Sequence, residues 1–89
     1  MRREQAEIKS VKARVTVTLK SGVLDPQGKA IEGALRALSI DGVESVRQGK
    51  IFEIELDGAD RERARKTLTE ACERLLANTI VENYAIEIA

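Results

Sequence analysis

Apolar and polar side chains alternate along the first regular segment of the chain, over residues 11–20. A period of two places the apolar residues on one face of a β-strand. The same alternation returns over residues 51–56 and 81–88. A short apolar segment at 43–47 precedes the first of these across a two-residue turn, 48–49, so the pair is predicted to form a β-hairpin. The predicted buried face of the first strand consists of Val11, Ala13, Val15, Val17 and Leu19.

Two segments with helical spacing lie between these strands. The first spans residues 26–39, with Asp25 as its capping residue and Pro26 at the first helical position. The second follows Asp60 and is predicted to end near Asn78. Each has a single apolar stripe. The stripe residues are Ile31, Ala34, Leu35 and Leu38 in the first helix, and Ala64, Leu68, Ala71, Cys72, Leu75 and Leu76 in the second; Lys29, Glu32 and Arg36 are expected on the outer face of the first.

The order of elements is therefore β-α-β-β-α-β, which predicts an α+β chain. Right-handed crossovers in this order give the ferredoxin-like fold, a four-stranded antiparallel sheet with two helices on one face. In that fold the first and third strands are neighbours, and their outward charges are complementary. Residues 1–10 are read as a charged N-terminal tail and residues 11–89 as a single domain. The complementary charges are Lys12, Arg14 and Lys20 against Glu53 and Glu55.

Composition narrows the choice of function. The 89 residues carry 15 basic and 15 acidic side chains, and this balance argues against nucleic acid as a partner. With one Phe, one Tyr and no Trp, the core must be aliphatic, and a small core of this kind is often completed by a partner subunit. One cysteine fits a reducing cytoplasm. We expect no membrane span and see no signal peptide.

The residues that catalysis would need are largely missing. There is no histidine, which excludes Ser-His-Asp and Cys-His nucleophile systems and an ordinary zinc site. Gly28-Lys29 and Gly49-Lys50 lack the spacing of a phosphate-binding loop. Cys72 lies on an apolar stripe and is read as a buried hydrophobic residue. We therefore predict no catalytic and no metal-binding residue on this chain.

Two short stretches contain specific residues that a helix cap and a turn do not need. The first leads into the first helix and the second lies at the predicted hairpin tip. A plain cap and a plain turn remain the structural alternatives. The hypothesis is that both stretches contact a partner. Its residues are Asp25, Pro26, Gln27, Gly28, Lys29, Arg47, Gly49 and Lys50.

These stretches also belong to a longer pattern that resembles a known family, PurS, the small subunit of phosphoribosylformylglycinamidine synthase. The resemblance covers residue 11 to the C-terminus at consistent spacing. Ser39 departs from it where glycine commonly follows the leucine of the first helix, and Thr79 where proline commonly follows asparagine. The matching residues are Leu19-Lys20, Val23-Leu24-Asp25-Pro26-Gln27-Gly28-Lys29-Ala30, Ala34-Leu35, Val46-Arg47, Gly49-Lys50 and Leu75-Leu76-Ala77-Asn78.

The resemblance implies a role within a complex. That complex makes formylglycinamidine ribonucleotide from formylglycinamide ribonucleotide, glutamine and ATP in purine biosynthesis. A glutaminase subunit (PurQ-like) releases ammonia, and a small-type synthetase subunit (PurL-like) binds substrate, ATP and Mg²⁺. The chain itself is expected to be a cytoplasmic dimer or tetramer without a cofactor, which bridges the two larger subunits and assists ammonia transfer.

Two other families share this order of elements. An ACT-type regulatory domain binds amino acids near its first strand-helix loop, where Gly22 and Gly28 would suit it. An RNA-recognition domain needs aromatic side chains on the open sheet face, and the predicted face has charges and threonines instead. The ACT-type domain is therefore the stronger alternative.

Overall fold

The computed structural model describes residues 9–89; the first eight residues of the predicted tail lie outside this range. The chain forms one antiparallel sheet of three strands with two helices. The predicted positions of three strands and both helices are confirmed. The elements are β1 (Ser10–Leu19), α1 (Pro26–Ala37), β2 (Gly49–Asp57), α2 (Arg61–Ala71), which continues as a π-helical turn (Cys72–Leu76), and β3 (Glu82–Ile88).

The sheet is built around β1, which pairs with β2 on one side and with β3 on the other. Val15 lies opposite Phe52 and Ile86, so three apolar side chains meet across the sheet. The predicted neighbours are confirmed, and the charge pairing is confirmed in part. Lys12 and Arg14 lie opposite Glu55 and Glu53, and Arg14 forms an ion pair of 3.1 Å with Glu53. Lys20 lies beyond the end of β1 and is not opposite either glutamate. The residues of β1 buried on the core face are Val11, Ala13, Val15 and Val17.

Helix α2 supplies the other half of the core. The Asp60 carboxylate accepts hydrogen bonds from the backbone N–H groups of Glu62 and Arg63, at 3.0 and 3.2 Å, and so caps the helix. Leu68 and Cys72 are fully buried against the central strand, and burial of a leucine side chain contributes about 1.5–3 kcal/mol. Leu75 was predicted to share this stripe, but it is 81% exposed, because the π-helical turn rotates it away from the core.

Helix α1 does not lie on the sheet of its own chain, so the prediction of two helices on one sheet face is wrong for the single chain. Residues 38–48, which lead back to β2, are called the return segment. Together with this segment, α1 forms a projection, residues 25–48, which we call the arm. Ile31 and Leu38 of its apolar stripe are 38% and 70% exposed. The radius of gyration is 17.9 Å, against about 12 Å for a compact chain of this length.

The fourth predicted strand, residues 43–47, is also absent from the sheet. Its backbone N–H groups do not pair with β2. The N–H of Val46, and that of Gln48 just after the segment, donate instead to the side-chain carboxylates of Glu32 and Asp25, at 2.8 Å each. Carboxylates at the start and in the middle of the first helix region, 23 and 14 residues away along the chain, thus replace a neighbouring strand.

Helix α1 ends in a Schellman motif. The N–H of Ile40 donates to the carbonyl of Leu35, and the N–H of Ser39 donates to that of Arg36, both at 3.0 Å. The motif requires a left-handed backbone at the residue after the C-cap, and Ser39 has φ of 61°. The position where the family pattern commonly has glycine is therefore the one where glycine is favoured sterically.

Within residues 9–89, no helix is long and apolar enough to cross a membrane.

Ser39→Gly is expected to stabilise the chain by about 0.5–1 kcal/mol. It relieves the steric cost of a left-handed residue, and this gain exceeds the loss from the extra backbone entropy that glycine gives the unfolded chain. Urea unfolding measures the change. Ser45→Gly, in the exposed return segment, is the matched control and is expected to give no gain. An equal gain from both substitutions would contradict the conformational explanation.

Candidate functional site

The two stretches singled out in the sequence meet where the arm joins the sheet. Asp25 is at the centre of this junction and is only 8% exposed. Its carboxylate accepts the N–H of Gly28 at 3.0 Å, as a helix cap, and the N–H of Gln48 at 2.8 Å. These hydrogen bonds, with that from Gln48 the strongest, hold the pKa of Asp25 below its usual value.

Glu32 makes the second connection, two helical turns further along α1. It is 7% exposed, and its carboxylate accepts the N–H of Val46 at 2.8 Å and lies 3.5 Å from the Lys29 ammonium. The Val46 hydrogen bond is the main reason that the pKa of Glu32 is lowered. The prediction that Glu32 stays on the outer face is therefore wrong: it faces the return segment.

Arg47 fastens the return segment to the end of β1. Its guanidinium donates to the carbonyl of Leu19 at 2.6 Å and to that of Lys20 at 3.1 Å. We call the contacts of Asp25, Glu32 and Arg47 with the backbone the latch. The latch sets the direction in which the arm leaves the sheet.

Two glycines let the backbones at this junction come close together. A Cβ atom on Gly28 would lie 2.3 Å from the carbonyl oxygen of Val46, and one on Gly49 would lie 2.3 Å from that of Val17. Both distances are shorter than real Cβ contacts, so any larger residue must displace the backbone. Gly28 therefore allows close packing between α1 and the return segment, a role beyond helix capping.

A cleft of about 400 Å³ opens beside the latch, between the start of the arm and the ends of β1 and β2. The structure brings five of the eight predicted residues to this cleft and leaves Gly28, Lys29 and Arg47 out of its lining. The lining residues from the two predicted stretches are Asp25, Pro26, Gln27, Gly49 and Lys50. The sequence hypothesis did not include Gln48 and Glu82, which also line it.

The cleft contains no group arranged for bond-making chemistry. Asp25, its one buried carboxylate, is occupied by backbone donors. Cys72 lies outside the cleft, fully buried, and burial raises the pKa of its thiol, which confirms the structural reading. In the part of the chain that the structure describes, no three His, Cys, Asp or Glu residues are grouped as metal ligands.

A larger cleft, of about 580 Å³, lies on the open face of the sheet. Two of its carboxylates are bound to side chains of β1: Glu53 pairs with Arg14, and Glu55 accepts the Ser10 hydroxyl at 3.0 Å. These two contacts join β1 to β2. The junction at the arm remains the stronger candidate site.

The role of Glu32 could have been found in the sequence. Asp25, Gly28 and Glu32 follow one another at three and four residues, so they share one face of the helix. Two carboxylates flanking a glycine on that face indicate acceptors beside a close backbone approach. The expectation that Glu32 lies on the outer face of the helix with Lys29 and Arg36 concealed this pattern.

Comparison with known sequences identifies the family. The sequence model of PurS, described as phosphoribosylformylglycinamidine (FGAM) synthase, matches residues 12–89. A curated protein from Synechocystis sp., phosphoribosylformylglycinamidine synthase subunit PurS, is 46% identical over 79 residues, which cover 89% of this chain and 79% of that protein. These similarities favour the predicted family over the ACT-type alternative.

Similarity to solved structures supports the same family. The purS subunit of phosphoribosylformylglycinamidine synthase from Thermotoga maritima is 31% identical, with a TM-score of 0.85 over 98% of this chain and all of that one. A chain in the structure of PurLQS from Thermotoga maritima is 33% identical, with a TM-score of 0.85, and the match covers 91% of this chain and 99% of that one.

Acid is expected to release helix α1 from the return segment. The pKa values of Asp25 and Glu32 are lowered in the folded chain, so their stabilisation is complete above the unfolded values and is lost as pH falls through the folded ones. Amide hydrogen exchange should show Val46 and Gln48 losing protection as pH falls below about 4, the ordinary range of carboxyl pKa values.

Asp25→Asn with Glu32→Gln should lower this protection at neutral pH and flatten its pH dependence. Glu53→Gln, which removes an exposed ion pair on the sheet, is the matched control and should leave both amides protected. Protection that stays constant in the unmodified chain down to about pH 2, far below ordinary carboxyl pKa values, would contradict the assigned role of the carboxylates.

Gly28→Ala is expected to destabilise the chain by about 1–3 kcal/mol, because its Cβ has no room beside Val46. Gly33→Ala is the matched control in the same helix: open space surrounds its Cβ position, so it should stabilise by about 0.5–1 kcal/mol. Urea unfolding measures both. The close-approach argument fails if the two substitutions shift the free energy of unfolding in the same direction.

Proposed function

This chain belongs to the PurS family, and we propose that it bridges the glutaminase and synthetase subunits of phosphoribosylformylglycinamidine synthase and assists ammonia transfer between them. It is a subunit of that enzyme, a glutamine-hydrolysing ligase complex of purine biosynthesis. The complex converts formylglycinamide ribonucleotide, glutamine and ATP to formylglycinamidine ribonucleotide. The glutaminase (PurQ-like) and synthetase (PurL-like) subunits carry out the chemistry.

One observation supports the bridging role. Two stretches separated by almost twenty residues form a single cleft, and that cleft has no catalytic group. The side chains of the latch are hydrogen-bonded to the backbone, whereas Gln27 and Lys50 are exposed at the cleft. A contact surface held in place before association loses less entropy when a partner binds. We assign Gln27 and Lys50 as partner contacts, with Pro26 and Gly49 shaping the surface between them.

A bridging subunit can assist ammonia transfer without any acid or base of its own. Ammonia must pass between two active sites without escaping or becoming protonated by water. A subunit that seals the junction and fixes the distance between the sites excludes solvent from the path. The absence of histidine from this chain suits that task, since no imidazole is present to protonate ammonia near neutral pH.

Further features of the assembly belong to the same proposal. ATP and Mg²⁺ bind to the synthetase subunit, and this chain holds no cofactor. Copies of this chain associate with each other as a dimer or tetramer. The complex works in the cytoplasm, in keeping with the single, buried cysteine.

Gln27→Ala and Lys50→Ala are expected to weaken binding of the larger subunits about tenfold each, the effect of a contact worth more than 1 kcal/mol. In the reconstituted complex at limiting subunit concentration, glutamine-dependent synthesis should fall. Synthesis from added ammonium should persist, because it needs only the synthetase active site.

Lys66→Ala, on the exposed face of α2, is the matched control and should leave both activities unchanged. Co-elution of the chain with the two larger subunits reads the assembly directly. Full glutamine-dependent activity and co-elution in both cleft variants would overturn the assignment of the cleft. Glutamine turnover by the isolated chain would overturn the non-catalytic role.

A further inference from the structure

We propose that the end of the sheet beside the cleft docks onto a larger subunit of the synthase through three apolar side chains outside the cleft. These side chains, Leu24, Leu75 and Ile80, are called the anchors. The surface that receives them is an acidic protein surface with an apolar depression. The inference rests on the proposed bridging role and extends it, because it names further contact residues and the chemistry of the surface they meet.

The anchors are large apolar side chains that remain accessible to water. Leu24 is 69% exposed, Leu75 is 81% exposed and Ile80 is 83% exposed. Single exposed apolar residues are common on protein surfaces, but several at one place mark a site of association. The relevant question is therefore whether the fold brings the three anchors together.

Strand register places the cleft and the start of β3 at the same end of the sheet. Thr18 of β1 pairs with Gly49, the first residue of β2 and part of the cleft lining. The next residue, Leu19, pairs on its other side with Glu82, the first residue of β3. Neighbouring strands are about 4.8 Å apart, so the three strand ends together span about 10 Å. An interface of about 800 Å² per partner is wider than this.

Two adjacent loops carry the anchors at this end. The backbone N–H of Lys20 donates to the carbonyl of Val81 at 2.9 Å. This hydrogen bond joins the loop after β1, which contains Leu24, to the loop before β3, which contains Ile80. Leu75 lies in the π-helical turn that leads into the second loop. The anchors therefore adjoin the cleft, and one partner surface can cover both.

The exposure of Leu75 is built into the backbone. The N–H of Ala77 donates to the carbonyl of Cys72, five residues earlier, at 3.1 Å, which is the hydrogen bond of a π-helix. The Tyr84 hydroxyl donates to the Glu73 carboxylate at 2.6 Å and so ties this turn to β3. The wider turn carries Leu75 away from the core, and such turns occur frequently at functional sites.

The charges at this end of the sheet indicate the chemistry of the partner. Both acidic residues of the segments that form it accept backbone N–H groups of the chain itself. Lys20 and Lys50, in contrast, form no ion pair with a carboxylate of residues 9–89. An acidic partner surface complements this excess of positive charge. In residues 17–29, 46–50 and 77–82, the basic residues are Lys20, Lys29, Arg47 and Lys50, and the acidic ones are Asp25 and Glu82.

The same charges argue against a second copy of this chain as the occupant. An interface between two identical surfaces about a two-fold axis would place this basic end against itself, and like charges facing each other disfavour association. A small anion would leave the three anchors uncovered. A larger protein with an acidic surface fits both features, because apolar contacts surrounded by charged ones are the usual arrangement of a specific interface.

Leu75→Ala and Ile80→Ala test the anchors in the reconstituted complex. The measured quantity is the concentration of this chain that gives half-maximal glutamine-dependent synthesis at fixed concentrations of the two larger subunits. Each substitution should raise that concentration about tenfold and leave the rate at saturation unchanged. Ile51→Ala is the matched control: Ile51 is 59% exposed but lies on the opposite face of β2, so its removal should change neither quantity.

Lys20→Gln tests the acidic character of the partner. For the unmodified chain, the half-maximal concentration should rise as salt increases from about 50 mM to about 500 mM, because salt screens the charge pairs. Lys20→Gln should raise the concentration at low salt and reduce its dependence on salt. Lys12→Gln, near the opposite end of β1, is the matched control and should behave like the unmodified chain.

Normal half-maximal concentrations in both anchor variants, or an unaltered salt dependence in Lys20→Gln, would overturn the inference. So would a changed oligomeric state of the isolated anchor variants in size exclusion, since the anchors would then join copies of this chain. Circular dichroism confirms folding, and Leu75→Gln and Ile80→Gln replace an alanine variant that does not fold. A loss confined to Gln27→Ala and Lys50→Ala would reject the anchors and keep the bridging role, whereas normal assembly of all these variants would reject both.

Discussion

The hydrogen bonds from the backbone of the return segment to two carboxylates on α1 determine the shape of this chain. Asp25 and Glu32 are two helical turns apart, and the N–H groups they accept, on Val46 and Gln48, are two residues apart. Each carboxylate is nearly buried and receives backbone donors that a neighbouring strand would otherwise satisfy. This is why the segment stays beside the helix, why the sheet has three strands, and why the helix projects.

The elements of the sheet and its buried side could be predicted from the sequence, since the alternation in β1, β2 and β3 is regular and complementary charges indicate which strands pair. The first helix was predicted correctly as a helix but wrongly placed. Its period of 3.6 identifies an apolar face, but it carries no information on which surface covers that face. The missing fourth strand has a different cause: residues 43–47 have the composition of a strand, but long-range carboxylate acceptors outcompete sheet pairing, and no local pattern reports them.

The candidate site was predictable in part. Residues beyond the needs of a cap and a turn, around Asp25 and at 47–50, indicated two stretches with a further role. The structure brings them to one cleft. Their members divide into two kinds that sequence alone could not separate. Gly28 and Arg47 hold the backbone in place, whereas Gln27 and Lys50 remain accessible. That division depends on distances between residues more than fifteen positions apart, such as the hydrogen bond from Arg47 to Leu19.

The core side of β2 is only half-covered, since Phe52, Ile54 and Leu56 are half-buried there. A chain with this face open has an incomplete core, and proteases act on chains that spend time open. Its lifetime therefore depends on how much of the time that face is covered.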